Sequence, residues 1–194
     1  MAAYEKQFAG EAGLPRGPPP WHPASGRRLQ VTLGRRPDEI RPRLPLMLLA
    51  PSDFFTELRK ALKRELPAPM RNFHSIRGRG RLMKVHFGEP SFHYEAWHHT
   101  GAGRLEVGLH FEASAIENQA AFDFFRSRMV EVKANLPRAE LEPWDRGWSR
   151  LYETMPAARL DDEVVRSAVN CMTEYIVTLQ PLLDQYLRSR DENS

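Results

Sequence analysis

The feature that most constrains this chain is a run of three alternating segments joined by short turn sequences. Leu82–Phe87, Ser91–His99 and Arg104–Glu112 each alternate apolar with polar residues over most of their length. Gly88–Pro90 and Thr100–Gly103 separate them, and short segments rich in glycine and proline favour hairpin turns. Because a period of two is typical of half-buried strands, the run predicts an antiparallel meander with one apolar and one polar face.

The alternation also predicts how these strands pair, because a shift of one residue would mix apolar and polar side chains on each face. With the second turn at Gly101–Ala102, Phe92 pairs with Phe111 and Tyr94 pairs with Leu109 on the apolar face. On the polar face the same register predicts two rows across the strands, one of His86, His93 and His110 and one of Lys84, Glu95 and Gly108.

The histidine row predicts a metal site. Neighbouring strands lie about 4.8 Å apart, so imidazoles of adjacent strands can reach one ion at about 2.1 Å from nitrogen. If this face is a metal site, we expect zinc or manganese held by His86, His93 and His110; otherwise no cofactor is predicted. The nearby carboxylates of Glu95 and Glu112 would orient an imidazole or act as a general base.

Two neighbours of Glu95 bear on this hypothesis. Gly108 is expected to leave a gap beside Glu95 through which water or a ligand approaches. Lys84, opposite Glu95, is expected to lower the pKa of that carboxyl group. The polar face also fits a plain solvated surface, since cross-strand pairs stabilise such faces by roughly 0.2–1 kcal/mol each. A face covered by the N-terminal arm or by a second subunit is a further alternative.

The rest of the chain predicts an α+β fold. One helix is expected from about Ser52 to Pro67 and a second after the capping box of Ser114 and Glu117. A long third helix should follow Asp161, with a kink or a new start at Pro181. Further short strands are expected at Arg28–Leu33, Glu140–Glu142 and Trp148–Thr154, while Met47–Ala50 fits a strand or a lead-in to the first helix. We predict an antiparallel meander sheet of about five strands with three helices packed on one face.

Three regions are expected along the chain. Proline and glycine punctuate the first 26 residues, which predicts a flexible arm over residues 1–26. The periodic segments predict one α+β domain over residues 27–188, and the polar residues 189–194 are expected to fray. No apolar run approaches the roughly 20 residues of a membrane span. The start of the chain lacks an apolar signal segment, and Cys171 is the only cysteine, so we predict a cytoplasmic protein without membrane contact.

The charge is unevenly distributed. Residues 1–81 hold 16 Lys and Arg against 7 Asp and Glu, whereas residues 82–194 hold 12 against 18, so net charges of +9 and −6 sum to the +3 of the whole chain. Such asymmetry predicts a nucleic acid or an acidic protein surface as partner of the first half. We predict contacts to nucleic acid from a flexible basic loop, Arg77–Arg81, and from neighbouring cations, namely Arg71, Arg77, Arg79, Arg81, Lys84, Arg146 and Arg150. Arg146 and Arg150 belong to a segment in which aromatic and basic residues alternate, and a strand there would place them on one side with Trp144 and Trp148.

The segment RLEVGLHFE, the Glu117–Asn118 pair followed by Phe122, LEPW followed by RLYE, and a closing helix with Pro181 together carry a resemblance. Over about residues 82–187 the chain resembles a family of uncharacterised bacterial α+β domains associated with nuclease and restriction-type proteins. The resemblance implies an α+β accessory domain and, by association, a connection to nucleic acid. It supplies no catalytic residues.

These observations lead to three functional hypotheses. The first is a non-enzymatic binding or accessory module that engages nucleic acid or an acidic protein through its basic half. The second is a metal-dependent hydrolase or nuclease with the three-histidine site. The third is a structural subunit that buries its polar sheet face in a homodimer. The sequence leaves open whether the chain is an enzyme.

Overall fold

A computed structural model of the chain describes residues 47–78 and 80–192, apart from the side chain of Arg77. The predicted arm over residues 1–26 and the predicted strand Arg28–Leu33 lie outside the described residues. Met47–Ala50 contributes a single bridge, between Leu48 and Asp161, and so serves as the lead-in to the first helix.

The described chain is an α+β fold, as predicted, built on one antiparallel sheet of six strands in the order β1-β2-β3-β4-β6-β5. The strands are β1 His74–Gly78, β2 Leu82–His86, β3 Phe92–His99, β4 Arg104–Phe111, β5 Glu140–Pro143 and β6 Ser149–Pro156. The helices are α1 Pro51–Glu65, α2 Ala115–Arg126, α3 Met129–Asn135 and α4 Asp162–Glu192.

The predicted register of the central strands is confirmed. Phe92 pairs with Phe111 and His93 with His110 between β3 and β4. Lys84 pairs with Glu95 between β2 and β3. Alternate side chains therefore point to opposite faces of the sheet.

Strand β1 was not predicted, because its sequence HSIRG does not alternate between apolar and polar residues. It overlaps the segment for which a flexible basic loop was expected. Its backbone pairs with β2, and Ser75 accepts a hydrogen bond from Arg59 Nε of α1 at 2.7 Å. An edge strand held by its backbone and one polar contact has a weak sequence signal.

Two helical predictions need correction. The helix that follows the Ser114–Glu117 capping box is divided into α2 and α3. The division falls near Arg128, whose guanidinium lies 3.6 Å from the centre of the Phe124 ring and donates to the Phe124 carbonyl. In contrast, α4 runs through Pro181 without a new start and extends to Glu192, into the segment that was expected to fray. Leu179 and Leu183, on either side of Pro181, are both buried, and this packing offsets the missing hydrogen bond.

The apolar face of the sheet forms the core together with the helices. Tyr94, Val107 and Leu109 are each at most 1% exposed. They belong to one hydrophobic cluster with residues of α1 and α4, among them Phe54, Leu58, Met172 and Ile176. Because the apolar side chains of the central strands are buried in this cluster, their polar side chains share the opposite face.

Candidate metal centre

One level of the polar face carries ionisable side chains on strand after strand. The paired residues at this level are His74 with His86, His93 with His110, and His110 with Arg150, which in turn pairs with Glu142. Within this level the rings of His93 and His110 stack with their centres 5.8 Å apart and their planes at 19°.

Four side chains of this face form a group with the geometry of a metal site. His93, Glu95, His110 and Glu112 each offer one ligand atom, and these atoms lie within 4.8 Å of one another. Strand β3 supplies His93 and Glu95, β4 supplies His110, and Glu112 follows β4 directly. His93, Glu95 and His110 are 2%, 4% and 5% exposed, whereas 19% of the Glu112 side chain is exposed. Three of the four residues are therefore buried, and the group reaches solvent at Glu112.

The hydrogen bonding of His93 indicates how its ring is used. Its Nδ1 lies 2.9 Å from the Pro90 carbonyl oxygen, and since a carbonyl only accepts, Nδ1 carries the proton and donates. In the neutral ring Nε2 then has a lone pair. That atom is buried, has no hydrogen-bond partner in the described part of the chain, and lies 3.5 Å from Glu95 Oε2 and 3.6 Å from Glu112 Oε1. Three electron-rich atoms facing one another require a cation between them, either a metal ion or an added proton on Nε2.

His110 presents a second buried imidazole of the same kind. Its Nε2 also has no hydrogen-bond partner within the described residues, and it lies 3.4 Å from Glu106 Oε1. Two under-satisfied imidazoles beside two carboxylates are uncommon in a folded protein, because buried polar groups are normally hydrogen-bonded.

Lys84 lies at the exposed side of the group. Its Nζ is 2.7 Å from Glu112 Oε2 and 3.6 Å from Glu95 Oε2, so the predicted neighbour of Glu95 contacts both carboxylates. Burial acts to raise the pKa of Glu95, but the neighbouring imidazoles of His93 and His110 and the ammonium group of Lys84 outweigh it and lower the pKa. Glu95 is therefore a carboxylate at neutral pH, which is the form that binds a metal ion.

His86, predicted as a ligand, is not a member of the four-residue group. Its ring stacks on His74 instead, with centres 5.1 Å apart and planes at 18°. Burial lowers the pKa of His86, and the neighbouring His74 and His93 lower it further, so the neutral ring is favoured. The structure thus brings together His93 and His110 with the two predicted carboxylates.

The gap expected at Gly108 is absent, because β6 approaches too closely. A Cβ atom at Gly108 would lie 2.4 Å from Tyr152 Cβ and 2.6 Å from the Leu151 carbonyl oxygen. Gly108 is required for this close approach of β4 to β6 and does not open a path to Glu95.

A second network, centred on Glu106, lies next to the four-residue group and was not predicted. This carboxylate is 1% exposed. Both of its oxygens accept from Arg150 Nη1 at 2.8 Å, and His99 Nε2 lies 3.1 Å from Oε2. Burial acts to raise the pKa of Glu106, but the neighbouring imidazole of His110 and the guanidinium of Arg150 outweigh it and lower the pKa.

The same network removes Arg150 from the predicted contacts to nucleic acid. Its guanidinium is centred 3.2 Å from the ring centre of Trp144 and 4.0 Å from that of Tyr152, and its Nε donates to Glu142 at 3.1 Å. Arg150 is only 7% exposed. Its donors are engaged by Glu106 and Glu142, so it offers little accessible surface to a phosphate.

The expected alternation of Trp and Arg on one strand is wrong at Arg146. This residue has a φ of 60° and lies in a turn between β5 and β6. Its side chain is 73% exposed, near the ring of Trp148.

The remaining basic residues do not yet define a nucleic-acid interface. Arg71 is exposed but donates to the carbonyls of Leu66 and Arg64 at the end of α1. Arg81 is exposed in the turn before β2. Arg79 and the side chain of Arg77 lie outside the described residues. Binding of nucleic acid or of an acidic protein therefore stays a prediction, as does the homodimer.

Comparisons with known proteins add no relative. No family model, no curated protein and no solved structure matches the chain. The resemblance over residues 82–187 accordingly stays a prediction. Within residues 47–78 and 80–192, no helix combines the length and apolar character needed to cross a membrane.

Proposed function

We propose that this chain is a metal-dependent hydrolase whose ion is held on the polar sheet face by His93, Glu95 and His110. The observation that carries the proposal is the buried Nε2 atom of His93, which has no hydrogen-bond partner in the described chain and belongs to a group with the His110 imidazole and two carboxylates. Neutral imidazole nitrogen and ionised carboxylate oxygen are the atoms that bind a divalent ion.

The donor set supports a transition-metal ion. Two imidazoles and one or two carboxylates suit zinc or manganese, whereas calcium and magnesium prefer oxygen ligands throughout. The charges support a divalent ion as well. Glu95 and Glu112 carry two negative charges against the single positive charge of Lys84. An added cation would compensate the remaining charge in a buried setting.

The unequal burial of the four residues supports a catalytic centre over a purely structural one. Catalytic zinc sites keep three protein ligands and an open position for water, whereas structural sites are closed by four ligands. The three buried residues supply the former set, and Glu112 lies on the side that solvent reaches. There Glu112 would act as general base on a water that the ion makes more acidic. Lys84, at 2.7 Å, would hold the Glu112 carboxylate in place.

The first experiment measures bound metal. Wild-type protein purified without chelator should contain about one equivalent of zinc or manganese by elemental analysis, or should bind one on titration. His93→Gln combined with His110→Gln should abolish binding. His74→Gln, which changes a histidine of the same face outside the group, should leave it intact. Wild-type protein that neither contains nor binds an ion would refute the proposal.

The second experiment separates catalysis from binding. Glu112→Gln keeps the size of the side chain but cannot accept a proton from water. We expect hydrolysis of a panel of carboxylic and phosphoric esters to fall roughly 10²–10⁴-fold while the ion stays bound. Metal binding without metal-dependent hydrolysis of any ester in wild-type protein would leave a metal-binding module and overturn the catalytic part.

A further inference from the structure

Glu106 and His110 meet across a glycine of the same strand. They lie four residues apart on β4, a distance of about 13 Å along an extended chain, yet Glu106 Oε1 is 3.4 Å from His110 Nε2. The residue between them on this face is Gly108, which has no side chain. The two side chains can therefore lean toward each other along the strand.

The carboxylate of Glu106 is itself held in place. Arg150 Nη1 donates to both of its oxygens at 2.8 Å. The guanidinium lies between the rings of Trp144 and Tyr152 and donates to Glu142 as well. An arginine engaged on both ring faces and by two carboxylates has little freedom to move. Glu106 therefore presents an acceptor at a defined position beside His110.

We propose that Glu106, fixed by Arg150, is a positioning residue that holds the proton of His110 on Nε2 and leaves Nδ1 as the nitrogen that binds the ion. This inference rests on the proposed metal centre. A carboxylate accepts but does not donate, so the neutral ring lowers its energy by placing N–H on the nitrogen that faces Glu106. Metal-binding histidines commonly donate their second N–H to a carboxylate in this way.

The inference gives the two histidines opposite tautomers. His93 donates through Nδ1 to Pro90 and faces Glu95 and Glu112 with Nε2. His110 donates through Nε2 to Glu106. Two rings from adjacent strands thus offer different nitrogens to one ion, and each is oriented by its own acceptor, a backbone carbonyl for one and a carboxylate for the other.

The tautomers can be measured in the metal-free protein. Long-range ¹⁵N–¹H correlation spectra distinguish the protonated from the unprotonated ring nitrogen of a neutral histidine. At a pH where both rings are neutral, wild-type protein should show N–H on Nε2 of His110 and on Nδ1 of His93. A proton on Nδ1 of His110 would overturn the inference, and this outcome does not depend on whether any metal binds.

Metal affinity supplies the second arm of the test. Glu106→Gln should weaken zinc binding about 10–100-fold, as is typical for the loss of a partner that orients a ligand. Glu57→Gln is the matched control, because it makes the same change at an exposed carboxylate of α1, whose partner is Lys60. It should keep the wild-type affinity. Equal affinities of wild type and Glu106→Gln would refute the positioning role while leaving the proposed function intact. If Glu106→Gln fails to fold, Glu106→Asp, which retracts the carboxylate from His110 and keeps its charge, replaces it in the same titration.

Discussion

The two halves of the polar sheet face solve the problem of buried charge in opposite ways. Around Glu106, each carboxylate oxygen has a donor, and Arg150 is enclosed by aromatic rings and a second carboxylate. Around His93, two carboxylates and an imidazole lone pair face one another, and Lys84 lies at the outer side. The first half is complete within the protein, whereas the second half leaves His93 Nε2 without a hydrogen-bond partner among the described residues. From this difference we expect a ligand to bind around His93, and we expect the network around Glu106 to support that site.

The largest expected effect is on stability and comes from removing the Arg150 guanidinium that pairs with Glu106. Arg150→Met should lower the free energy of unfolding by about 3–5 kcal/mol, because it leaves the buried Glu106 carboxylate uncompensated and removes packing between two aromatic rings. Urea denaturation measures the change. Arg126→Met, which removes the exposed partner of Asp123, should change the same quantity by less than about 1 kcal/mol. Similar losses in both variants would erase the distinction between a supporting network and ordinary surface ion pairs.

The pH dependence of stability sharpens the same comparison. The pKa of Glu106 is lowered in the folded protein, so its ionised form contributes stability above its unfolded pKa, roughly 4.3. That contribution is lost as the pH falls through the lower folded pKa. Denaturation of metal-free protein between pH 3 and pH 7 should therefore show a steeper acid-side loss for wild type than for Glu106→Gln. Parallel curves for the two proteins would mean that this carboxylate is not held preferentially in its ionised form.

The smallest expected effect concerns Lys84. Its ammonium group already compensates Glu112 and Glu95, so an incoming metal ion competes with it for the same carboxylates. Lys84→Met should raise zinc affinity on the order of tenfold, because a positive charge near the ion is removed. Isothermal titration calorimetry gives the affinity, and Lys60→Met, which removes the partner of the exposed Glu57, is the control. Weaker binding in Lys84→Met would show that Lys84 assists the ion instead of competing with it.

The pairing of the central strands follows from local sequence alone. Alternation on three consecutive segments, with short turns between them, is enough to place Lys84 beside Glu95 and His93 beside His110. Local sequence could not show that His86 lies outside the metal-ligand group. The His86 ring stacks on His74 of β1, and β1 has no alternating pattern by which it could be predicted.

The supporting network depends on features that no local pattern carries. Strand β6 pairs with β4 after two helices and β5 have intervened, and this pairing brings Arg150 beside His110. Glu106 reaches His110 only because the glycine between them lets two side chains lean along the strand. The available sequence signal was the glycine at position 108 between two ionisable residues of one strand face, and the gap for a ligand predicted from it is wrong.

The most direct test of the central claim is to locate the ion. Crystals of the protein grown with zinc should be measured with X-rays on both sides of the zinc absorption edge. The account predicts one strong anomalous peak within about 2.0–2.2 Å of His93 Nε2 and of a carboxylate oxygen of Glu95, with His110 completing the set. A polar face without a peak, or a peak held by residues outside this group, would contradict it.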